Sequence, residues 1–188
     1  MKRLVLLIIL ASFTSLALGQ EINEGLDKKT QKKYEKQDKK KQKEEELEKS
    51  KAVMRDLVNG REYVLEANNL SGKSGAQIPV VPSLNFFAVD SATAVIQIGS
   101  VTGLGYNGVG GITDEAKINR YEISESKAGF NIKLYAASTL TSYTIFLNIS
   151  ASGNATARVT GLSGGVINFI GRVVPMSESI VYKGQRSY

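Results

Sequence analysis

Three groups of residues in this chain have types and spacings at which chemistry is done. Gly103-Leu104-Gly105-Tyr106-Asn107-Gly108 satisfies G-x-G-x-x-G, the loop that sets a dinucleotide's pyrophosphate on a helix N-terminus. Here Val109-Gly110-Gly111-Ile112 follows and prolongs the glycine loop, so the required helix does not open. Ala67-x-x-x-x-Gly72-Lys73-Ser74 fits the loose form of a P-loop, yet Gly75, Pro79 and Pro82 deny it the helix whose amides would hold phosphate. Asp114, Glu115, Glu122 and Glu125 offer oxygens for calcium or an acid/base pair. They spread over twelve residues, though, where calcium needs ligands crowded around a turn. They read as solvent-facing carboxylates along a strand.

One feature survives this sieve. Six glycines fall between Gly99 and Gly111, around Tyr106 and Asn107, more than a tight turn requires. Such connections sit at the ends of β-domains and carry function there. The binding site is therefore assigned to Tyr106, Asn107, Gly108, Gly110 and Gly111. No catalytic or metal-ligating residue is assigned and no cofactor is expected.

Composition narrows the chemistry further. The 188 residues include no His, no Cys and no Trp. That removes thiolate nucleophiles, disulfides, Ser-His-Asp relays and zinc or haem sites with the usual ligands. What is left is carboxylate, Tyr, Lys, Arg, Ser and Thr, and the chain reads as a non-enzymatic protein.

The elements that would position the loop come in four parts. Residues 1–19 have the layout of a secretory signal peptide: Lys2 and Arg3, an apolar run from Leu4 to Leu18, and a small-x-small site at Ala17-Leu18-Gly19. The run is shorter than the roughly 20 residues a spanning helix needs. Cleavage would leave Gln20 first and the product periplasmic or secreted. Residues 20–46 form a charged arm. Nine Lys lie between Lys28 and Lys43 against Glu35 and Asp38, and Glu44, Glu45, Glu46 and Glu48 follow.

With almost nothing apolar to bury, the arm cannot offset its ordering entropy with a core. Pairs at i,i+4 such as Glu35–Lys39 favour helix, while Lys28–Lys32 and Lys36–Lys40 oppose it. The expectation is an exposed helix, partly disordered before about residue 40. Export and the interleaved acids argue against nucleic acid as its partner; an anionic envelope surface suits it better. In residues 47–60, Leu47, Met54, Leu57 and Val58, with Val53 beside them, form a docking face, and Asn59-Gly60 supplies the stop.

Residues 61–188 are written in strands. Phe130, Ile132, Leu134 and Ala136 alternate with Asn131, Lys133 and Tyr135. Tyr143, Ile145, Leu147 and Ile149 do the same, with Phe146 on the second face; Ala155, Ala157 and Val159 follow, then Ile167, Phe169 and Gly171. Tyr63, Leu65 and Ala67 alternate only loosely. Period two, broken by turns at Asp90-Ser91, Ala128-Gly129, Ser152-Gly153-Asn154 and Ser163-Gly164-Gly165, predicts antiparallel neighbours joined by hairpins. Only Asp114-Glu115-Ala116-Lys117 has helical propensity. The fold class is mostly β: a single antiparallel sandwich or barrel of about eight or nine strands, preceded by one long charged helix.

The domain resembles the uncharacterised secreted proteins of Bacteroides-type bacteria known as domain of unknown function 4251. The resemblance runs from about Leu47 to Tyr182. It rests on Arg61-Glu62-Tyr63-Val64-Leu65-Glu66-Ala67, Pro82-Ser83-Leu84-Asn85-Phe86-Phe87-Ala88-Val89-Asp90 and Asn107-Gly108-Val109-Gly110-Gly111-Ile112-Thr113. Ile149-Ser150-Ala151-Ser152-Gly153-Asn154-Ala155 and Ile167-Asn168-Phe169-Ile170-Gly171 complete it. It implies an exported, β-rich envelope protein and transfers no functional residue. The functional expectation is a binding module for a small apolar ligand or an unknown envelope partner. Its rivals are an interaction protein positioned by the arm, and a small outer-membrane barrel.

Overall fold

A computed structural model describes residues 28–100, 110–161 and 164–185. The chain divides into two compact units, Met1–Glu45 and Glu46–Tyr188. Helix α1 spans Lys28–Gly60. In the first unit its described side chains are exposed from Gln31 onward, with Lys40 and Glu44 paired across one turn at 3.7 Å. The stretch expected to fray before residue 40 is helical here, as the propensity of Lys, Glu and Gln favours. The signal peptide and residues 20–27 lie outside the described residues.

In the second unit the end of α1 docks on a β-domain. Met54 and Val58 are buried and Leu57 packs beside them, while Leu47 and Val53 stay exposed. The docking face thus begins at Met54, one corrected boundary; Leu47 lies too far up the helix to reach the core. The stop also shifts by one residue. Gly60 is still helical, and Arg61 takes the left-handed conformation (φ 56°) while its N–H donates to Leu57 O at 2.9 Å.

The strands are β1 Glu62–Ser71, β2 Gln77–Pro79, β3 Phe86–Asp90, β4 Thr93–Ile98, β5 Ile112–Ser126, β6 Gly129–Ala137, β7 Ser142–Ser150, β8 Asn154–Gly161 and β9 Val166–Pro175. All pair antiparallel, and the pairing of β1 with β9 closes the sheet on itself. The result is a barrel of eight strands, β1-β3-β4-β5-β6-β7-β8-β9, with the short β2 added on β1 where β3 leaves off. Between the two architectures the sequence allowed, this is the barrel. Asp114–Lys117 belongs to β5, so strand pairing with β4 overrides its helical propensity.

The seam depends on a missing side chain. A Cβ on Gly171 would lie 1.9 Å from Glu66 O, beside the register shift between Ala67 and Asn69. Glycine lets β1 and β9 meet that closely.

Alternation then fills the interior. Ile132, Leu147, Ala157 and Phe169 are successive cross-strand partners and all are buried. Leu65, Phe87, Ile96, Ala116 and Phe130 join the same core. The partners facing the other way, Lys133, Phe146, Arg158 and Asn168, form a mixed polar row outside.

The loose alternation of β1 has a physical cause: it is covered on both sides. Its outward Val64 packs with Phe86, Ala88 and Val95 under Val174, Met176 and Val181 of the C-terminal segment. Buried Gln97 holds that strap down, donating to Leu84 O (3.1 Å) and Tyr182 O (2.8 Å) and accepting from Gly184 N (2.8 Å) and Thr113 Oγ1 (2.9 Å). Every polar atom of its amide is thereby paired.

Candidate binding site at the barrel mouth

The two ends of the barrel are built differently. At one end, Met54 and Val58 of α1 insert into the core, near the β7–β8 turn at Gly153. Tyr121 OH donates to Val58 O at 3.0 Å, satisfying a carbonyl of the helix's last turn. That uses its proton, so Tyr63 OH donates to Tyr121 across 3.0 Å. Burial pushes the Tyr121 phenol up to about 12 and holds Tyr63 well above its ordinary value. Outside this plug, Glu125 accepts from Arg55 Nε (3.1 Å) and Nη2 (2.6 Å) and pairs with Lys51 at 3.0 Å. The Arg55 fork, then Lys51, draws the Glu125 carboxyl down to about 2.

At the opposite end β4 finishes, β5 begins, and β6 turns into β7. There a cavity of about 300 Å³ opens, lined chiefly by Ile96, Ile98, Ile112, Val159, Val166 and Ile167. Asp114 and Tyr143 stand on its wall. Asp114 is fully buried. Its Oδ2 accepts from Ser138 Oγ at 2.6 Å and from Tyr143 OH at 2.7 Å, lengths typical of hydroxyls on a carboxylate. Burial and the neighbouring Asp114 raise the Tyr143 phenol well above its usual range. Among the described residues, Asp114 Oδ1 has no hydrogen-bond partner.

The turn that presents Ser138 is itself fixed. Ser138 N–H donates to Thr141 O at 2.9 Å, while its Oγ accepts from Leu140 N (3.1 Å) and Thr141 N (3.2 Å). With its lone pairs occupied, the hydroxyl proton is left to point at Asp114.

The structure places Gly110 and Gly111 at the foot of the β4–β5 connection, at this mouth. Gly110 has φ 77°, and a Cβ on Gly111 would lie 2.0 Å from Ile98 O. Their role is to let the two feet of the connection approach. Asn85, also buried, holds the first foot: it donates to Gly99 O (3.1 Å) and accepts from Gly99 N (3.0 Å). Tyr106, Asn107 and Gly108 lie outside the described residues.

Of the four acidic residues weighed for metal or acid/base chemistry, Glu122 and Glu125 face solvent and Asp114 faces inward, a correction to the solvent-facing reading. Sequence reasoning missed Asp114, although a signal was there. Ala116 and Ile118 are inward and Asp114 shares their phase, so extending the alternation backward puts it on the dry side. No cluster among the described residues could hold a metal ion. A wider hollow of about 580 Å³ lies elsewhere, lined in part by Asn68, Asn131, Asn148 and Asn154. It is a shallow dish of mixed polar and apolar lining, without a buried unpaired group among the described residues, and the smaller mouth cavity is the better site.

Fold and site together define a class: an antiparallel β-barrel with an apolar core, a helix docked at one end and a cavity at the other. The profile of a domain of unknown function, DUF4251, matches residues 43–173, and the chain belongs to that family. It is similar in structure to a DUF4251 family protein from Bacteroides eggerthii DSM 20697, with a TM-score of 0.58 and 24% identity over 69% of this chain and 90% of that one. At that identity the likeness speaks for the fold. None of the curated proteins matches the chain.

Proposed function

We propose that this chain is an exported, non-enzymatic binding module that holds a small apolar ligand in the barrel mouth, where β4 ends and β5 begins. The observation that carries this reading is the mouth cavity itself: an opening walled mostly by aliphatic side chains, at the end of a barrel lined by buried apolar residues. About 300 Å³ is at the lower end of the range for small-molecule sites. The lining is mostly aliphatic, with Asp114, Thr141 and Tyr143 as its polar side chains, so apolar contact supplies affinity and the few polar groups supply orientation.

The outward row of Lys133, Arg158 and Asn168 and the apolar interior invert the pattern of a membrane-spanning barrel, which needs an apolar band facing lipid. That argues against the outer-membrane alternative. Nor is any helix among the described residues long and apolar enough to cross a membrane.

Calorimetric titration with 1-octanol, a probe of the size the cavity admits, tests the reading. Saturable, one-to-one binding is expected, lost in Ile167→Trp, which fills the cavity from β9. Unsaturable heat, or saturation untouched by the substitution, would overturn it.

A further inference from the structure

We infer that the C-terminal strap and the mouth cavity are coupled through Gln97, a positioning residue: filling the mouth tightens the strap, and releasing the strap loosens the mouth. The inference rests on the mouth cavity being a binding site and adds how that site is controlled. Its basis is one stretch of β4 and β5 that is used on both faces. On the inner face, Ile96 and Ile98 of β4 and Ile112 of β5 wall the cavity. Within the same ladder Gln97 stands opposite Thr113, flanked by the pairs Ile96–Asp114 and Ile98–Ile112. Successive side chains of a strand point to opposite faces, so Gln97 and Thr113 face outward. Both are nevertheless fully buried.

The strap grips this outer face by its backbone. Tyr182 O accepts from Gln97 Nε2, and Gly184 N–H donates to Gln97 Oε1, the atom that also accepts from Thr113 Oγ1. One amide thus ties β4, β5 and the strap together at the level of the cavity wall. Elsewhere the strap is seated by Val181, over Val64, Phe86, Ala88 and Val95, and by Glu66 Oε1, which accepts from Ser179 Oγ (2.8 Å) and Ile180 N (2.9 Å). No residue of the strap lines the cavity among the described residues, so its influence passes through the strands.

The sign of the coupling follows from polar pairing. If the strap leaves, Gln97 loses Tyr182 O and Gly184 N, two of its four partners. A buried amide left unpaired is costly, so Gln97 shifts toward water and the two strands shift with it. A loosened wall has to be ordered again before it holds a ligand, and that cost weakens binding. Reciprocity then requires a bound ligand to strengthen the strap's hold by the same factor. Ile180 and Tyr182 are exposed on the strap, so occupancy of the mouth is carried to the outer surface.

Amide exchange in the full chain, followed by NMR with and without saturating 1-octanol, tests the coupling. The Tyr182 and Gly184 amides, bonded to Ser83 O and Gln97 Oε1, are expected to exchange about five-fold more slowly with octanol bound. Segments at the surface exchange by local opening, so a ligand that only stabilised the barrel as a whole would leave them unchanged. In the other direction, Val181→Asp unseats the strap from a position outside the cavity and should weaken octanol binding about five-fold by calorimetry. Unchanged exchange with octanol bound would overturn the inference, as would unchanged affinity in Val181→Asp. So would slowing that persists in Ile167→Trp, since octanol would then be acting on the strap directly. The unmodified chain decides by itself if Val181→Asp fails to fold. Failure of octanol to bind the unmodified chain sinks the cavity reading and the coupling together; binding without slowed exchange sinks the coupling alone.

Discussion

The plugged end and the open mouth of the barrel are made by the same eight strands, yet they treat polar groups in opposite ways. At the plug, each buried hydroxyl has a partner: Tyr63 gives its proton to Tyr121, and Tyr121 gives its own to the helix carbonyl of Val58. At the mouth, Asp114 keeps one oxygen paired twice and the other unpaired among the described residues. Apolar groups differ likewise. Val58 and Met54 fill the barrel at one end, whereas Ile98, Ile112 and Ile167 at the other surround space. Closing a barrel leaves two ends to cover, and a protein that seals one with its own helix can spend the other on a ligand. The plug completes the apolar core with Met54 and Val58, and the mouth holds the one unpaired buried oxygen among the described residues.

The sharpest break of that contrast is at Val58, which is fully buried. Val58→Asp puts a charge into a fully buried apolar position, and a loss of about 3–5 kcal/mol is expected, read as a lowered urea midpoint with an unchanged slope. A loss under about 1 kcal/mol would mean that the helix end is not part of the core.

A smaller effect is expected from acid. The Glu125 carboxyl is held at about 2, below its unfolded value, by Arg55 first and Lys51 next. The stability this linkage supplies is therefore complete above the ordinary carboxylate range and fades as pH falls from about 5 toward 2. Its size is limited because the group faces solvent. Glu125→Gln should remove that part of the pH slope, measured by thermal melts at fixed ionic strength; an unaltered slope would show that the ion pair adds nothing.

The least effect is expected from deleting residues 20–46. The first buried residue of α1 is Met54, so the melting temperature of the barrel should hardly move. If the charged arm positions the domain on an envelope surface, the same deletion should release it from anionic vesicles, in keeping with the Lys-rich run from Lys28 to Lys43. A large drop in melting temperature would extend the plug well up the helix.

Much of the fold was legible because strands with one dry side leave a period of two. The rows Phe130-Ile132-Leu134-Ala136 and Tyr143-Ile145-Leu147-Ile149 face inward as their alternation requires. β1 was harder to read, since the C-terminal strap buries Val64 on its outer side and erases the contrast between faces. The site was only half legible. Of the glycines between Gly99 and Gly111, Gly110 and Gly111 sit at the foot of the β4–β5 connection, while Tyr106, Asn107 and Gly108 lie outside the described residues. Asp114 was passed over because a carboxylate in a strand usually faces water, and because Ser138 and Tyr143 lie 24 and 29 residues away in sequence.

By itself the sequence determined what local periodicity and composition can hold: a charged helix, a run of antiparallel strands, and the lack of His and Cys chemistry. The tertiary structure decided the closure of β1 on β9, the choice of which end the helix plugs, and the meeting of Asp114, Ser138 and Tyr143. The reason is distance along the chain. Alternation is set by neighbours two residues apart, whereas ring closure and a buried hydrogen-bond cluster depend on groups that only the completed sheet brings together.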